Sequence, residues 1–251
     1  MLNTRLRAAA PRARPPACAA LVSVVLLARP VVSQQPPPPS APSGASWCGD
    51  SAIVVSTWQA LKAAVADEAS RPACIKLESG SYAIDETLNI GNWSIALIAQ
   101  GDVTLDGGGM HQVIRVIDHA AEDDHATRSS VGIFGLTITN GSAAFGGAIF
   151  NSGMLEMSEC VLTDNIADRG SAIFNEGTLS MDSCQLRDNT DREAVDDAGA
   201  ESGGIYNAGG SLTMKSGKVR SARGQAELQF AQVTLNHDAH AVVFPEFRAL
   251  W

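Results

Sequence analysis

The feature that most constrains this chain is a phrase that recurs after 24 residues. Leu155-Glu156-Met157-Ser158-Glu159-Cys160-Val161-Leu162-Thr163-Asp164-Asn165 and Leu179-Ser180-Met181-Asp182-Ser183-Cys184-Gln185-Leu186-Arg187-Asp188-Asn189 share the frame LxMxxCxLxxN at every fixed place. One copy earlier the frame holds Val131, Ile133, Leu136 and Ile138. One copy later, after an inserted loop, it holds Leu212, Met214, Gly217 and Val219. A second phrase keeps the same phase: GGAIFNSG at 146–153, GSAIFNEG at 170–177 and SGGIYNAG at 202–209. Apolar residues alternate with the two-residue period of a strand, and Gly, Asn and Asp fall between the runs, where turns need them.

A unit of two dozen residues with three short strands cannot bury its own apolar face. It can do so by coiling, each unit stacking as a rung about 4.8 Å above the last. The expected fold is therefore an all-β parallel β-helix, a solenoid of about six to seven rungs. Equivalent residues then sit above one another. Asn151, Asn175 and Asn207 form a turn ladder whose amides bond from rung to rung. Ile149, Ile173 and Ile205 form one stack, and Phe150, Phe174 and Tyr206 another.

The pattern extends upstream more loosely. Ile75-Lys76-Leu77, Gly80, Tyr82, Leu88 to Ile90, Ile95 to Ile98, Val103 to Leu105 and Val113 to Ile117 give three earlier rungs. Before them, Trp58, Leu61 and Val65 fall at helical spacing behind a cap at Ser56 or Thr57, which predicts a helix that plugs the end of the coil. At the far end AELQFAQVTL reads as a last rung, with AVVFPEFRALW as an apolar tail over it.

Residues 1–33 have the order of a secretory signal peptide: Arg5, Arg7, Arg12 and Arg14, then an apolar run from Ala17 to Ala28, then small residues up to Ser33. An organelle transit peptide is the rival reading, since no acidic residue precedes Asp50. Residues 34–52 open with QQPPPPSAPSGAS and read as a Pro-rich linker, leaving 53–251 as the β-helix domain. The signal carries five Arg and no acid, so its removal takes the formal charge from −9 to −14. A chain this acidic is not expected to bind nucleic acid or anionic lipid by charge, and the mature chain offers no transmembrane run. Cys48, Cys74, Cys160 and Cys184 remain. The obvious pairing joins Cys48 to Cys74 and Cys160 to Cys184, with two buried free thiols as the alternative for the second pair.

GGAIFN and GSAIFN, followed by LxxN at Leu162 to Asn165 and Leu186 to Asn189, resemble the GGA[ILV] and FxxN repeats of the chlamydial polymorphic outer-membrane proteins. Related repeats occur in secreted right-handed parallel β-helix proteins with a pectin-lyase-like fold. The resemblance is clear over about 130–215 and extends toward residue 53. Leu stands where that family has the Phe of FxxN, and no C-terminal segment is long enough for the family's transporter barrel. The resemblance implies a right-handed coil and a role in surface adhesion or structure.

Candidate chemistry is sparse. Asn189-Thr190-Asp191 and Asp196-Asp197 resemble words of a polygalacturonase site, but they lie too close in sequence to occupy neighbouring rungs. Asp118, Asp123 and Asp124, in an acidic stretch with His119, Glu122 and His125, offer hard oxygen ligands suited to Ca²⁺, although the spacing matches no known loop; no other cofactor is expected. Asn92-Trp93-Ser94 and Asn140-Gly141-Ser142 are acceptors for N-glycosylation in a secreted chain. The leading expectation is a secreted or cell-surface module that binds polysaccharide or a cell-surface protein. The alternative is a polysaccharide lyase or glycoside hydrolase on the same coil.

Overall fold

The computed structural model describes residues 47–48, 52–67, 73–91, 93–118, 129–192, 204–221, 227–235 and 240–243. The signal peptide, most of the linker, Asn92, Asp123, Asp124 and the last eight residues lie outside them.

The described chain is all-β, built mostly from parallel strands, with one helix. Three columns of strands form. The first runs in chain order through β1 (Ala52–Val55), β2 (Cys74–Ala83), β4 (Ser94–Asp106), β6 (Ser130–Thr139), β8 (Met154–Ser158), β12 (Thr178–Asp182) and β15 (Ser211–Ser221). The second joins the later halves of β2, β4 and β6 to β9 (Val161–Thr163), β13 (Gln185–Asp191) and the later half of β15. The third stacks β3 (Leu88–Gly91), β5 (Ile114–Ile117), β7 (Ile149–Asn151), β11 (Ile173–Asn175) and β14 (Ile205–Ala208). A two-residue strand, β10 (Ile166–Ala167), pairs with the end of β13.

The registers reproduce the sequence frame. Val131 faces Leu155, which faces Leu179, which faces Leu212. Ile133, Met157, Met181 and Met214 form the next row, and Ile138, Leu162, Leu186 and Val219 the row around the corner. In the third column Leu88, Ile114, Ile149, Ile173 and Ile205 align. All of these are buried and belong to one continuous core. Burying rows of Leu, Ile and Met side chains at about 1.5–3 kcal/mol each is what the alternation encodes.

Because β6 and β15 run through a corner, each pairs with neighbours on two columns. The pairing therefore closes a ring of six parallel strands, β6-β8-β12-β15-β13-β9. The corner is made by backbone in the left-handed region. Gly135, Glu159, Ser183 and Ser216 take φ of 72°, 56°, 54° and 47° in successive passes. The next corner repeats the device at Asn140, Asp164 and Asp188, with φ of 52°, 57° and 56°. Asn and Asp tolerate this conformation because their short side chains bond locally. Glycine is required where passes touch. A Cβ on Gly177 would fall on the carbonyl of Gly153, and one on Gly210 on the carbonyl of Gly177.

Helix α1 (Trp58–Ala66) packs on β1 and β2, the edge at which the first column starts. Thr57 caps it, its hydroxyl accepting from the amide of Ala60 at 3.2 Å. Trp58, Leu61, Ala64 and Val65 are buried and join the common core. Asp85 fixes the helix to the turn after β2. Its carboxylate accepts from Trp58 Nε1 at 2.6 Å, Gln59 Nε2 at 3.0 Å and Lys62 Nζ at 3.0 Å. These donors, Trp58 foremost, hold its carboxyl well below the usual carboxylate range. Cys48 and Cys74 are joined in a disulfide with a Cα–Cα distance of 5.2 Å. The bond lays Trp47 on the outer side of the first column, its ring 6.5 Å from that of Phe134 and against Gly132.

The far end departs from expectation. AELQFAQVTL is not a last rung: β16 (Glu227–Leu235) runs antiparallel to β15, with Leu228 opposite Val219 and Leu235 opposite Leu212. Only 222–226 separate the two strands, and a parallel return needs a crossover of about a dozen residues or more. The chain therefore reverses as a hairpin. β17 (His240–Val243) likewise lies antiparallel on β14.

Ser183 sits exposed at the left-handed corner, where a β-branched residue is disfavoured. Ser183→Val is expected to lower the stability measured by urea unfolding by about 1–2 kcal/mol, while Ser183→Gly stays near wild type.

Candidate functional site

The outer side of the third column carries the densest set of recognition-type side chains. Strand alternation buries Ile149, Ile173 and Ile205 on one side, with Asn151, Asn175 and Asn207 at the turn. Phe150, Phe174 and Tyr206 face outward between them. Their rings stack with 8° between planes, Phe150 to Phe174 at 5.6 Å and Phe174 to Tyr206 at 5.2 Å. Phe145, 45% exposed, tilts against Phe174 at 4.9 Å and leaves part of its ring open. Phe174 is nearly covered by these three neighbours.

Two guanidinium groups flank the ridge. Arg115, one strand below Phe150, lies 5.3 Å over that ring, and Arg169 lies 5.8 Å over Tyr206. A cation over a ring face is attracted by its quadrupole, worth about 0.5–1 kcal/mol at exposed sites. Buried Gln112 sets the geometry of the lower end. Its Nε2 donates to the carbonyls of Phe145 at 2.7 Å and Gly146 at 2.6 Å, and its Oε1 accepts from Arg115 Nε at 2.8 Å. One amide thus positions both the exposed phenyl ring and the guanidinium. The repeated phrase marks the ring stack but does not mark Arg115, Arg169, Phe145 or Gln112 as its neighbours. Arg115 lies in register with Phe150, and Phe145 bridges to Arg169 one 24-residue phase later, but neither position repeats its residue type, so the repeated phrase does not mark them.

The asparagine ladder runs along the edge of the same column. Asn151 Nδ2 donates to Asn175 Oδ1 at 2.7 Å, Asn175 Nδ2 to Asn207 Oδ1 at 2.6 Å, and Asn207 Nδ2 to the Gly210 carbonyl at 2.6 Å. All three side chains are buried and serve the turn. A second ladder stands at the opposite corner. Asn165 Oδ1 accepts from the amide of Gly141 at 2.7 Å, and its Nδ2 donates to Asn189 Oδ1 at 2.9 Å.

Of the acidic candidates only Asp118 lies among the described residues. The backbone amide of Asp118 donates to Ser152 Oγ at 3.0 Å, while Asp123 and Asp124 lie outside the described residues. Among the described residues no group of three His, Cys, Asp or Glu side chains comes together to hold a metal ion. Asn140 is exposed at its corner, and its amide donates to Asp106 Oδ1 at 3.0 Å. Asp164 and Asp188 occupy equivalent corners of neighbouring passes, which places two carboxylates one strand apart. Asp164 accepts from Thr163 Oγ1 at 2.8 Å, and Asp188 is ion-paired with Arg220. Among the described residues no helix is long and apolar enough to cross a membrane.

Asp191 is buried, accepting from the amides of Ser171 at 2.6 Å and Gly170 at 3.2 Å. It shapes the turn before β11. Burial, only partly offset by those bonds, pushes its carboxyl up to about 6.

No family model matches the chain, and no curated protein or solved structure matches it.

The raised carboxyl of Asp191 sets a pH dependence. The folded state holds the proton more tightly than the unfolded chain, so ionisation removes stability as pH rises from about 4 through about 6. Urea unfolding should show stability falling by up to about 3 kcal/mol over that window, and Asp191→Asn should flatten the slope.

Proposed function

We propose that the described passes form a right-handed parallel β-helix of six to seven rungs, capped at one end by α1, that acts as a secreted or cell-surface binding module. The partner is a glycan or a surface protein, met along the outer ridge of the third column. The observation that carries this reading is the ridge itself. Phe150, Phe174 and Tyr206 contribute nothing to the interior rows, yet they are held in a fixed stack with Arg115, Arg169 and the half-open ring of Phe145 alongside. Aromatic and Arg side chains on rigid strands are the groups that dominate binding surfaces.

The handedness follows the resemblance to β-helix repeat proteins and the strong preference of parallel connections for the right hand. Secretion rests on the order of residues 1–33 and on the Cys48–Cys74 bond, since disulfides persist in oxidising compartments.

A carbohydrate-cleaving activity is the second reading, favoured by the Asp164 and Asp188 carboxylates on neighbouring passes. Glycoside cleavage requires paired carboxylates at a fixed separation. Here the left-handed backbone at both positions accounts for the residue type, and the Arg220 ion pair occupies Asp188.

Incubation of the purified chain with a panel of neutral and acidic polysaccharides and with surface extracts, scored for retention and for new reducing ends, separates the readings. Retention without cleavage is expected. The double variant Arg115→Ala/Phe145→Ala should weaken it at least tenfold while keeping a cooperative unfolding transition at a somewhat lower melting temperature. New ends abolished by Asp164→Ala would make the protein an enzyme. Retention unaltered by the ridge variant would remove the ridge from the account.

A further inference from the structure

We infer that Cys160 and Cys184 are a site of covalent cross-linking: a buried disulfide that staples two successive passes when the chain folds in the presence of a small-molecule disulfide oxidant. In the structure both are buried free thiols. They occupy the same place in neighbouring passes, each directly after a left-handed corner residue, Glu159 or Ser183.

Backbone bonds pin the two positions together from both sides. The amide of Glu159 donates to the Asp182 carbonyl at 3.0 Å, and the amide of Gln185 donates to the Cys160 carbonyl at 2.9 Å. Beyond them Val161 pairs with Gln185 and Leu162 with Leu186. A pair of residues bracketed in this way is separated by one strand spacing, about 4.8 Å. Disulfides span Cα distances of roughly 4.4–6.8 Å.

The hydrogen bonds of the two thiols are weak. Cys160 Sγ donates to the carbonyls of Ile133 and Ser158, and Cys184 Sγ to that of Asp182, all at 3.3 Å. Sulfur–hydrogen donors are poor, so little is lost in exchanging these contacts for a sulfur–sulfur bond, and the Asp182 carbonyl keeps the amide of Glu159.

The chemistry balances with one co-reactant. A thiolate from either cysteine attacks the oxidant's disulfide, forming a mixed disulfide and expelling one small thiolate. The second cysteine, as thiolate, then displaces the other small thiolate and closes the protein bond. Two protein thiols and one small disulfide thus become one protein disulfide and two small thiols. Because both sulfurs are shielded in the folded state, the reaction belongs to folding or to local opening of the corner.

Burial also separates this bond from the one already present. Cys74 is buried but its partner Cys48 is only half-buried, whereas both Cys160 and Cys184 are buried. Mild reduction should therefore open Cys48–Cys74 first, and the staple should survive until the passes separate.

The test is to refold the full chain from denaturant in a buffer of reduced and oxidised glutathione, denature it, alkylate free thiols and map the peptides without reduction. The expected result is a linked peptide pair containing Cys160 and Cys184. A Cys48→Ser/Cys74→Ser variant, mapped in the same way, should keep that link, and its melting temperature should fall by several degrees on full reduction. Recovery of Cys160 and Cys184 as alkylated thiols, or as separate glutathione adducts, in the refolded wild-type chain overturns the proposal.

Discussion

The structure depends on keeping each pass in register with the next, and buried asparagines do this most directly. A hydrophobic row alone permits slippage, because Ile, Leu and Met present similar surfaces to one another. An asparagine side chain buried at a turn must find a donor and an acceptor, and leaving either unmade costs about 1–3 kcal/mol. Asn151, Asn175 and Asn207 meet that requirement partly within their own turns, as Asn207 does with the Gly210 carbonyl, and partly by bonding to one another from pass to pass, and Asn165 and Asn189 repeat the arrangement at another corner. Two ladders at separate corners fix the passes at two points of the circuit. The apolar rows then fall into place between them.

From that constraint follow the glycines, the corners and the ridge. Passes held this close leave no room for a Cβ at Gly177 or Gly210. Corners that must turn at the same point in every pass repeat positive φ at intervals of 24 residues, as at Asn140, Asp164 and Asp188. Outward side chains are stacked as strictly as inward ones, so the phrase that places Ile149, Ile173 and Ile205 in the core also aligns Phe150, Phe174 and Tyr206 outside it. The rigidity of the ridge is thus inherited from the interior.

The sequence was informative wherever one physical rule repeated. The rows of Val131 and Ile133 onward, the Asn151 ladder and the Thr57-capped helix follow from period, turn chemistry and capping, and the structure has each at those residues. It was silent where neighbours come from different phases. Nothing in the repeat predicts that Gln112 reaches Phe145 and Arg115 together, or that Asp191 turns inward to bind the amides of Gly170 and Ser171. It misled at Glu227–Leu235, where alternation identified a strand correctly but carried no information about its direction. Direction was set instead by the five residues available for the return.

The central claim is that the 24-residue unit is a self-contained pass whose neighbours are interchangeable. Met154 pairs with Thr178 and Leu155 with Leu179, so removing residues 155–178 joins Met154 to Leu179 in the position Leu155 had held. The most direct measurement is urea unfolding, followed by circular dichroism, of this deletion beside one that removes 155–177. The account predicts a cooperative β-rich transition for the first, at reduced stability. The second, one residue out of phase, should lack such a transition because every later side chain is turned to the wrong side. Equal loss of structure in both deletions would contradict the account.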